Sequence, residues 1–291
     1  MPLRALQITY GYEIIETAVR LDLTLTIGSA GMDEPHLRFE NLAITFSDLS
    51  NAVVNDVSFE IRQGECVGLV GESGSGKSLT ALAAMQLLPN NAKINQEARI
   101  TFAKDDLLQL SERRMRRIRG QRIGMIFQDA LTALNPVLTI GQQMLEVIAT
   151  PRAKDTALSL LSEVGIKDPA HCLQSYPHQL SGGMRQRAMI AMALAGEPEC
   201  LIADEPTTAL DVTIQAQVIA LLKRIQQQRQ MTLLFISHDL ALISHIADRI
   251  VVMQHGCIVE QNNTASFFAQ PKHPYSKALL AAIPTDHARQ S

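Results

Sequence analysis

The chain has 291 residues, 46% of them hydrophobic and 19% charged, which suits one large domain or two small ones around a sizeable core. Its net charge of −3 excludes a global basic field for nucleic acid. No stretch of about 18 uninterrupted apolar residues occurs, so the chain is not expected to span a membrane by itself. The N-terminus also lacks the basic start and apolar centre of a secretion signal. The four cysteines, Cys66, Cys172, Cys200 and Cys257, are scattered without a C-x-x-C pair. They read as reduced thiols of a cytosolic protein, not as a disulfide or metal framework.

Residues 1 to about 36 carry charges through their apolar runs (Glu13, Glu16, Arg20, Asp22) and end in Gly28-Ser-Ala-Gly31. An orderly pattern begins at Leu37, just after Met32, so translation is expected to start at Met32 and 1–31 to be a removable or spurious leader. N-terminal sequencing that found Met1 or Pro2 would oppose this. Residues 37–46 read as a strand, and Val57, Phe59 and Ile61 alternate with polar residues as a second, half-buried one. Arg62-Gln-Gly-Glu65 is a turn. Cys66-Val-Gly-Leu-Val70 reads as a buried strand and 79–88 as a helix. The arginines 113, 114, 116, 117 and 119 form a dense basic run; without interleaved aromatics to stack bases, it reads as a solvated helix.

Residues 122–127 read as a short strand, and 129–180, punctuated by Pro136 and Pro151, as mostly helical. Cys200-Leu-Ile-Ala203 is a buried strand. Ile214, Val218, Leu221, Leu222 and Ile225 recur at helical spacing. Residues 232–236 form a strand, and 250–259 a hairpin about Gln254-His-Gly256. Strands alternating with helices predict an α/β fold, with a mostly parallel sheet covered on both faces.

Between the strand at 66–70 and the helix at 79–88 stands Gly71-Glu-Ser-Gly-Ser-Gly-Lys77-Ser78, a full match to G-x-x-x-x-G-K-[ST]. Its glycines, Gly71, Gly74 and Gly76, let the backbone wrap an anion, with Ser73 and Ser75 between them. The following helix start adds partial positive charge. Lys77 can reach the β- and γ-phosphates of a nucleotide, and the Ser78 hydroxyl can ligate Mg²⁺. A bland glycine-rich turn with a solvated lysine would lack the strand and helix on either side.

Asp204 and Glu205 follow the strand at 200–203, at the carboxyl edge where parallel sheets bind ligands. Asp204 can hold Mg²⁺, directly or through water. Glu205 is placed to orient or deprotonate water attacking the γ-phosphate. Ser181-Gly-Gly183 opens a helix running to about Leu194; its hydroxyl and N–H groups make a second anion site. On the local sequence alone, the competing reading is an ordinary N-capped helix with a tight start.

Taken in order, the 71–78 loop, Gln128, Leu180-Ser-Gly-Gly-Met-Arg-Gln-Arg187, Asp204-Glu205, Ala209-Leu-Asp211 and His238 resemble the ATP-binding subunit of ABC transporters. The resemblance covers about residues 37–280. It implies a P-loop NTPase core with a mostly parallel sheet, an N-terminal antiparallel β subdomain, a helical subdomain inserted at about 129–180, and a tail from about 263.

It also implies head-to-tail dimers holding two ATPs, the 71–78 loop of one subunit facing Ser181, Gly182 and Gly183 of the other. By position, Lys77 and the backbone of 74–78 hold phosphates. Ser78, Gln128 and Asp204 arrange Mg²⁺ and water, and Glu205 is the base. His238 contacts the γ-phosphate and links to Asp211 across the interface. The family's adenine-stacking aromatic is not evident: Phe46 sits about two positions early, where Asp48 and Leu49 align.

Gln128-Asp-Ala-Leu-Thr-Ala-Leu-Asn-Pro136 and His273-Pro-Tyr-Ser-Lys-Ala-Leu-Leu280 look like the peptide/nickel importer branch. The partners implied are a second ATPase subunit, either a different chain or another copy of this one, two membrane-spanning permease subunits and an extracytoplasmic solute-binding protein. The chain would then lie at the cytoplasmic face of the inner membrane. Lacking a cysteine-bearing extension after the His-Pro-Tyr segment, it leans toward the shorter nickel or metallophore importers. Two other classes compete. A DNA-repair or translation ATPase of the superfamily would need a coiled-coil insertion or second cassette, and a phosphate-loop kinase would lack 180–183.

Overall fold

The computed structural model describes residues 35–283 apart from 50, 149 and 209, and all of Leu131 but its side chain. The expected leader, 1–31, lies outside the described residues.

Six strands form the central sheet: β3 (Cys66–Val70), β7 (Ile123–Ile126), β8 (Cys200–Asp204), β9 (Thr232–Ser237), β10 (Arg249–Gln254) and β11 (Cys257–Asn263). Their order is β11-β10-β3-β9-β8-β7. All neighbours pair parallel except β10 with β11, which form the expected hairpin. The inner strands are apolar except at their ends, because both faces of the sheet are covered. Side chains alternate between two cores. Cys66, Val70, Leu201, Ala203, Leu233 and Phe235 face one, while Val67, Leu69, Cys200, Ile202, Leu234 and Ile236 face the other.

The two faces are covered differently. Helices pack on the first: α7 (Gly182–Ala193), α8 (Val212–Arg229) and α9 (Leu240–Ile246), with a helical region of α3 (Ala130–Ala133), α4 (Ile140–Val147), α5 (Ala153–Glu163) and α6 (Pro169–Gln174). On the second face lie helix α1 (Lys77–Ala84) and a second, antiparallel sheet. That sheet is built on the long β1 (Pro35–Phe46), which pairs along its length with β2 (Val54–Arg62). On its other side β1 meets β5 (Arg99–Phe102) near its start and β4 (Ala92–Ile94) near its end; β6 (Asp105–Asp106) follows β5. The stacked rings of Phe39 and Phe59, 4.6 Å apart, sit in this core.

Several sequence expectations need correction. Strand β1 starts at Pro35, two residues before Leu37. The helix read over 79–88 is α1, which begins at Lys77 and stops at Ala84, because Gln86 turns left-handed (φ 48°) and its side-chain amide donates to the carbonyls of Leu107 and Leu110. Strands β4, β5 and β6, of two to four residues, have no counterpart in the sequence pattern. The basic run is a solvated helix as expected, α2 (Glu112–Ile118), with Met115 and Ile118 buried beneath it. Arg114 pairs with Asp105, and Arg116 and Arg119 both pair with Glu112. After β11 come α10 (Thr264–Ala269) and α11 (Pro274–Ala281). None of the four cysteines is joined to another.

Gly124 in β7 lies against the backbone behind it: an added Cβ would fall 2.4 Å from the carbonyl oxygen of Ala193 and 3.1 Å from Pro198. Neither neighbour is a flexible side-chain tip, so Gly124→Ala is expected to cost about 1–3 kcal/mol. Urea unfolding measures it, and an unchanged midpoint with unchanged slope would contradict this packing.

Candidate active site

The loop between β3 and α1 is held from beneath by the β10–β11 hairpin. Gly256 N–H donates to the Ser75 carbonyl at 3.2 Å. Gly76, at φ 101°, caps α1, and a Cβ there would meet Met253 at 2.8 Å and Val54 at 2.9 Å. Both the conformation and the crowding therefore require glycine. Lys77 is buried, 4% exposed. Its Nζ donates to the carbonyls of Gly71 at 2.7 Å and Glu72 at 2.8 Å, and lies 3.4 Å from Ser75 Oγ. Ser73 and Gly74 stay exposed on the outer curve of the loop.

Asp204 ends β8, buried, and its Oδ1 accepts from Ser78 Oγ at 3.0 Å. The next residue, Glu205, takes a left-handed backbone (φ 45°), a strained conformation for a non-glycine residue. Its N–H donates to Ile236 at 3.0 Å, which keeps the turn tight against β9. The Glu205 carboxylate then gathers three groups. Gln128 Nε2 donates at 3.3 Å, Thr208 Oγ1 at 2.9 Å, and His238 Nδ1 lies 3.1 Å from Oε1. The Glu205 side chain is largely buried while His238 is exposed. A cleft of about 40 Å³ lies between them, lined also by Thr207, Gln215 and Asp239.

Burial sets the charges. It pushes the Asp204 carboxyl up from its usual range, against the Ser78 hydrogen bond that lowers it; Glu205 raises it further and Lys77 lowers it. Burial lowers the Lys77 ammonium, while Glu205, Asp204 and Glu72 raise it. Hydroxyl and carboxylate oxygens facing each other at Ser78 and Asp204 are hard donors that suit Mg²⁺.

Thus Lys77, Ser78, Gln128, Asp204, Glu205 and His238 come together. Ser181, Gly182, Gly183 and Asp211 do not join them within one chain. Ser181 Oγ accepts from Met184 N at 3.3 Å, capping α7. Asp211 accepts from Ile214 N at 3.0 Å, capping α8. Among the described residues no hydrogen bond links 181–183 to the 71–78 loop, and His238 meets Glu205, not Asp211. At the adenine position Phe46 packs half-buried against the second core, Asp48 accepts from Asn91 at 3.3 Å, and Leu49 is exposed.

Two residues of the site escaped sequence reasoning. Thr208, three residues after Glu205, was legible as a local hydroxyl partner. Tyr275, whose hydroxyl accepts from Glu72 N at 2.9 Å, had no local signal, because 203 residues separate the pair.

Two carboxylates, a buried lysine and a glycine-rich loop at one sheet edge suit a nucleoside triphosphate. The ABC transporter family profile matches residues 54–208. The dipeptide transport ATP-binding protein DppD of Bacillus subtilis is 48% identical over 86% of this chain and 77% of its own. The oligopeptide transport ATP-binding protein OppD of the same organism is 46% identical over 86% of this chain and 72% of its own. A dimeric post-hydrolysis structure of the ATP-binding cassette MJ0796 bound to ADP and Pi superposes with a TM-score of 0.69 at 25% identity, covering 78% of this chain and 98% of that one. The chain belongs to the ABC transporter family, as an ATP-binding, ATP-hydrolysing subunit.

The raised Asp204 pKa carries a sign. Between the usual carboxylate value and the raised one, the folded nucleotide-free protein holds a proton that the unfolded chain releases, so stability falls as pH rises through that window. At pH 7, Asp204→Asn is therefore expected to raise the melting temperature of the nucleotide-free protein, on the order of 2 °C, and to abolish Mg²⁺-dependent turnover. The gain should shrink as pH falls toward 4, near the free carboxylate value. A lower melting temperature at pH 7 would contradict the reading of a strained buried charge.

Proposed function

We propose that this chain powers import of peptides through a membrane permease, by ATP-driven closure of a dimer of ATPase subunits. The relatives described above are named for dipeptide and oligopeptide transport, and they favour peptides over nickel chelates as the solute. The chemistry rests on one observation: Lys77, Asp204, Glu205, Gln128 and His238 converge at the carboxyl edge of the parallel sheet.

In this reading Lys77 gives up its loop carbonyls for the β- and γ-phosphates, so no charge is left without a partner. Ser78, Asp204 and Gln128 hold Mg²⁺, which when bound neutralises charge developing on the phosphates. Glu205 takes or orients the proton of the attacking water. Gln128, Thr208 and His238 hold its carboxylate in the turn, with His238 free to turn outward to the γ-phosphate. Ser181, Gly182, Gly183 and Asp211 serve the partner subunit's nucleotide, which fits their separation from the loop of their own chain.

The helical region supports the contact with the permease. Val137, Leu145 and Tyr176 are exposed there, with Phe127 close by in sequence. Apolar side chains left in solvent suit a short helix of a membrane subunit. No helix among the described residues is long and apolar enough to cross a membrane, so attachment to the membrane would come through such partners.

Glu205→Gln is expected to keep ATP affinity, to form an ATP-dependent dimer in light scattering, and to lower kcat about a hundredfold or more. Turnover at the parent rate would refute the role given to Glu205. Lys77→Ala is expected to weaken ATP binding about tenfold or more in equilibrium titration, with unchanged affinity counting against the phosphate role. ATPase activity should rise when permease subunits are added. A rate independent of them would favour a non-transport ATPase of the same superfamily.

A further inference from the structure

The tail of the chain returns to the phosphate loop. Helix α11 carries Tyr275, 9% exposed, and its hydroxyl accepts the Glu72 N–H at 2.9 Å. That N–H belongs to the same peptide unit as the Gly71 carbonyl, which accepts from Lys77 Nζ at 2.7 Å. One peptide plane of the loop is thus gripped on both sides, by the tail at its N–H and by Lys77 at its carbonyl.

The grip is itself anchored. Glu260 of β11, 8% exposed, accepts the backbone N–H of Lys272 at 2.9 Å and of His273 at 2.9 Å. His273 Nδ1 then accepts from Tyr275 N at 3.2 Å, capping α11. A buried carboxylate holding two successive amides fixes where the helix starts, and so where the tyrosine points.

We infer that Tyr275 is a positioning residue for ATP binding, holding the Gly71–Glu72 peptide plane so that the phosphate loop stays open to the polyphosphate. When phosphates draw Lys77 away, the Gly71 carbonyl loses its donor. Among the described residues, the Tyr275 hydroxyl is then the remaining side-chain hold on that plane. Without it the plane is free to turn, and the loop must be reordered on every binding event. The inference rests on the reading of 71–78 as the phosphate site.

The test is Tyr275→Phe in the full-length chain, which removes one oxygen and keeps the ring. Amide hydrogen exchange at Glu72 should accelerate about tenfold or more, in keeping with the loss of its acceptor. The ATP dissociation constant should rise about threefold to tenfold, the loss of one hydrogen bond. The KM for ATP should rise with it, and kcat at saturating ATP should stay within about twofold, because the groups that contact the γ-phosphate are untouched. A tyrosine that merely packed the tail would move the melting temperature and leave this split absent. Glu260→Ala, which loosens the anchor and keeps the hydroxyl, should raise the dissociation constant in the same direction. Unchanged exchange at Glu72, or unchanged ATP affinity in Tyr275→Phe, overturns the inference, as does unchanged affinity in Glu260→Ala. Lys77→Ala run alongside separates the two readings: if it too leaves affinity unchanged, the phosphate assignment of the loop fails independently of Tyr275.

Discussion

Parallel pairing of β3, β9, β8 and β7 is the constraint from which the site follows. Register along the sheet pairs Val70 with Ser237, Ile236 with Asp204 and Ala203 with Ile126, so four strands end at nearly one level. Each hands its next residues to the same edge: the phosphate loop after β3, His238 after β9, Glu205 after β8, and Gln128 shortly after β7. An antiparallel strand among them would send one of these groups to the opposite edge. The sheet must be buried on both faces to hold that arrangement, which is why its inner strands carry almost no polar residues.

Burial that stabilises the sheet makes its edge costly for charge. Lys77 and Asp204 are both withdrawn from water, and each is satisfied provisionally by the chain itself, the ammonium by loop carbonyls and the carboxylate by Ser78. A provisional arrangement of this kind is pre-formed yet exchangeable. In the proposed function, a polyphosphate with its cation would offer both groups new partners. Glu205 is held differently, by a left-handed turn and three side-chain neighbours.

Much of this was legible along the chain. The loop, the two carboxylates, Gln128 and His238 each follow a short apolar run, and a buried parallel strand announces itself by that run together with what it ends on. The α8 stripe and the β10–β11 hairpin were readable for the same reason, since periodicity and turn residues are local signals. Helix α1 was drawn too long because Leu87 and Leu88 are apolar, while the turn that stops it depends on Gln86 reaching carbonyls near residue 107. Strands β4 to β6 are too short to show a period, and exist because β1 offers them an edge.

The sequence by itself singled out the residue types that suit phosphate, metal and proton chemistry and the order in which they occur, because that pattern depends on residue type and close spacing. Only the tertiary structure decided what presses on the loop. The Gly256 turn beneath it and the Tyr275 hydroxyl beside it come from segments about two hundred residues away, and contacts over such separations are set by how the sheet and tail pack, not by any pattern in the chain. It also decided that Ser181 and Asp211 turn to cap their own helices and do not join the phosphate loop of their own chain.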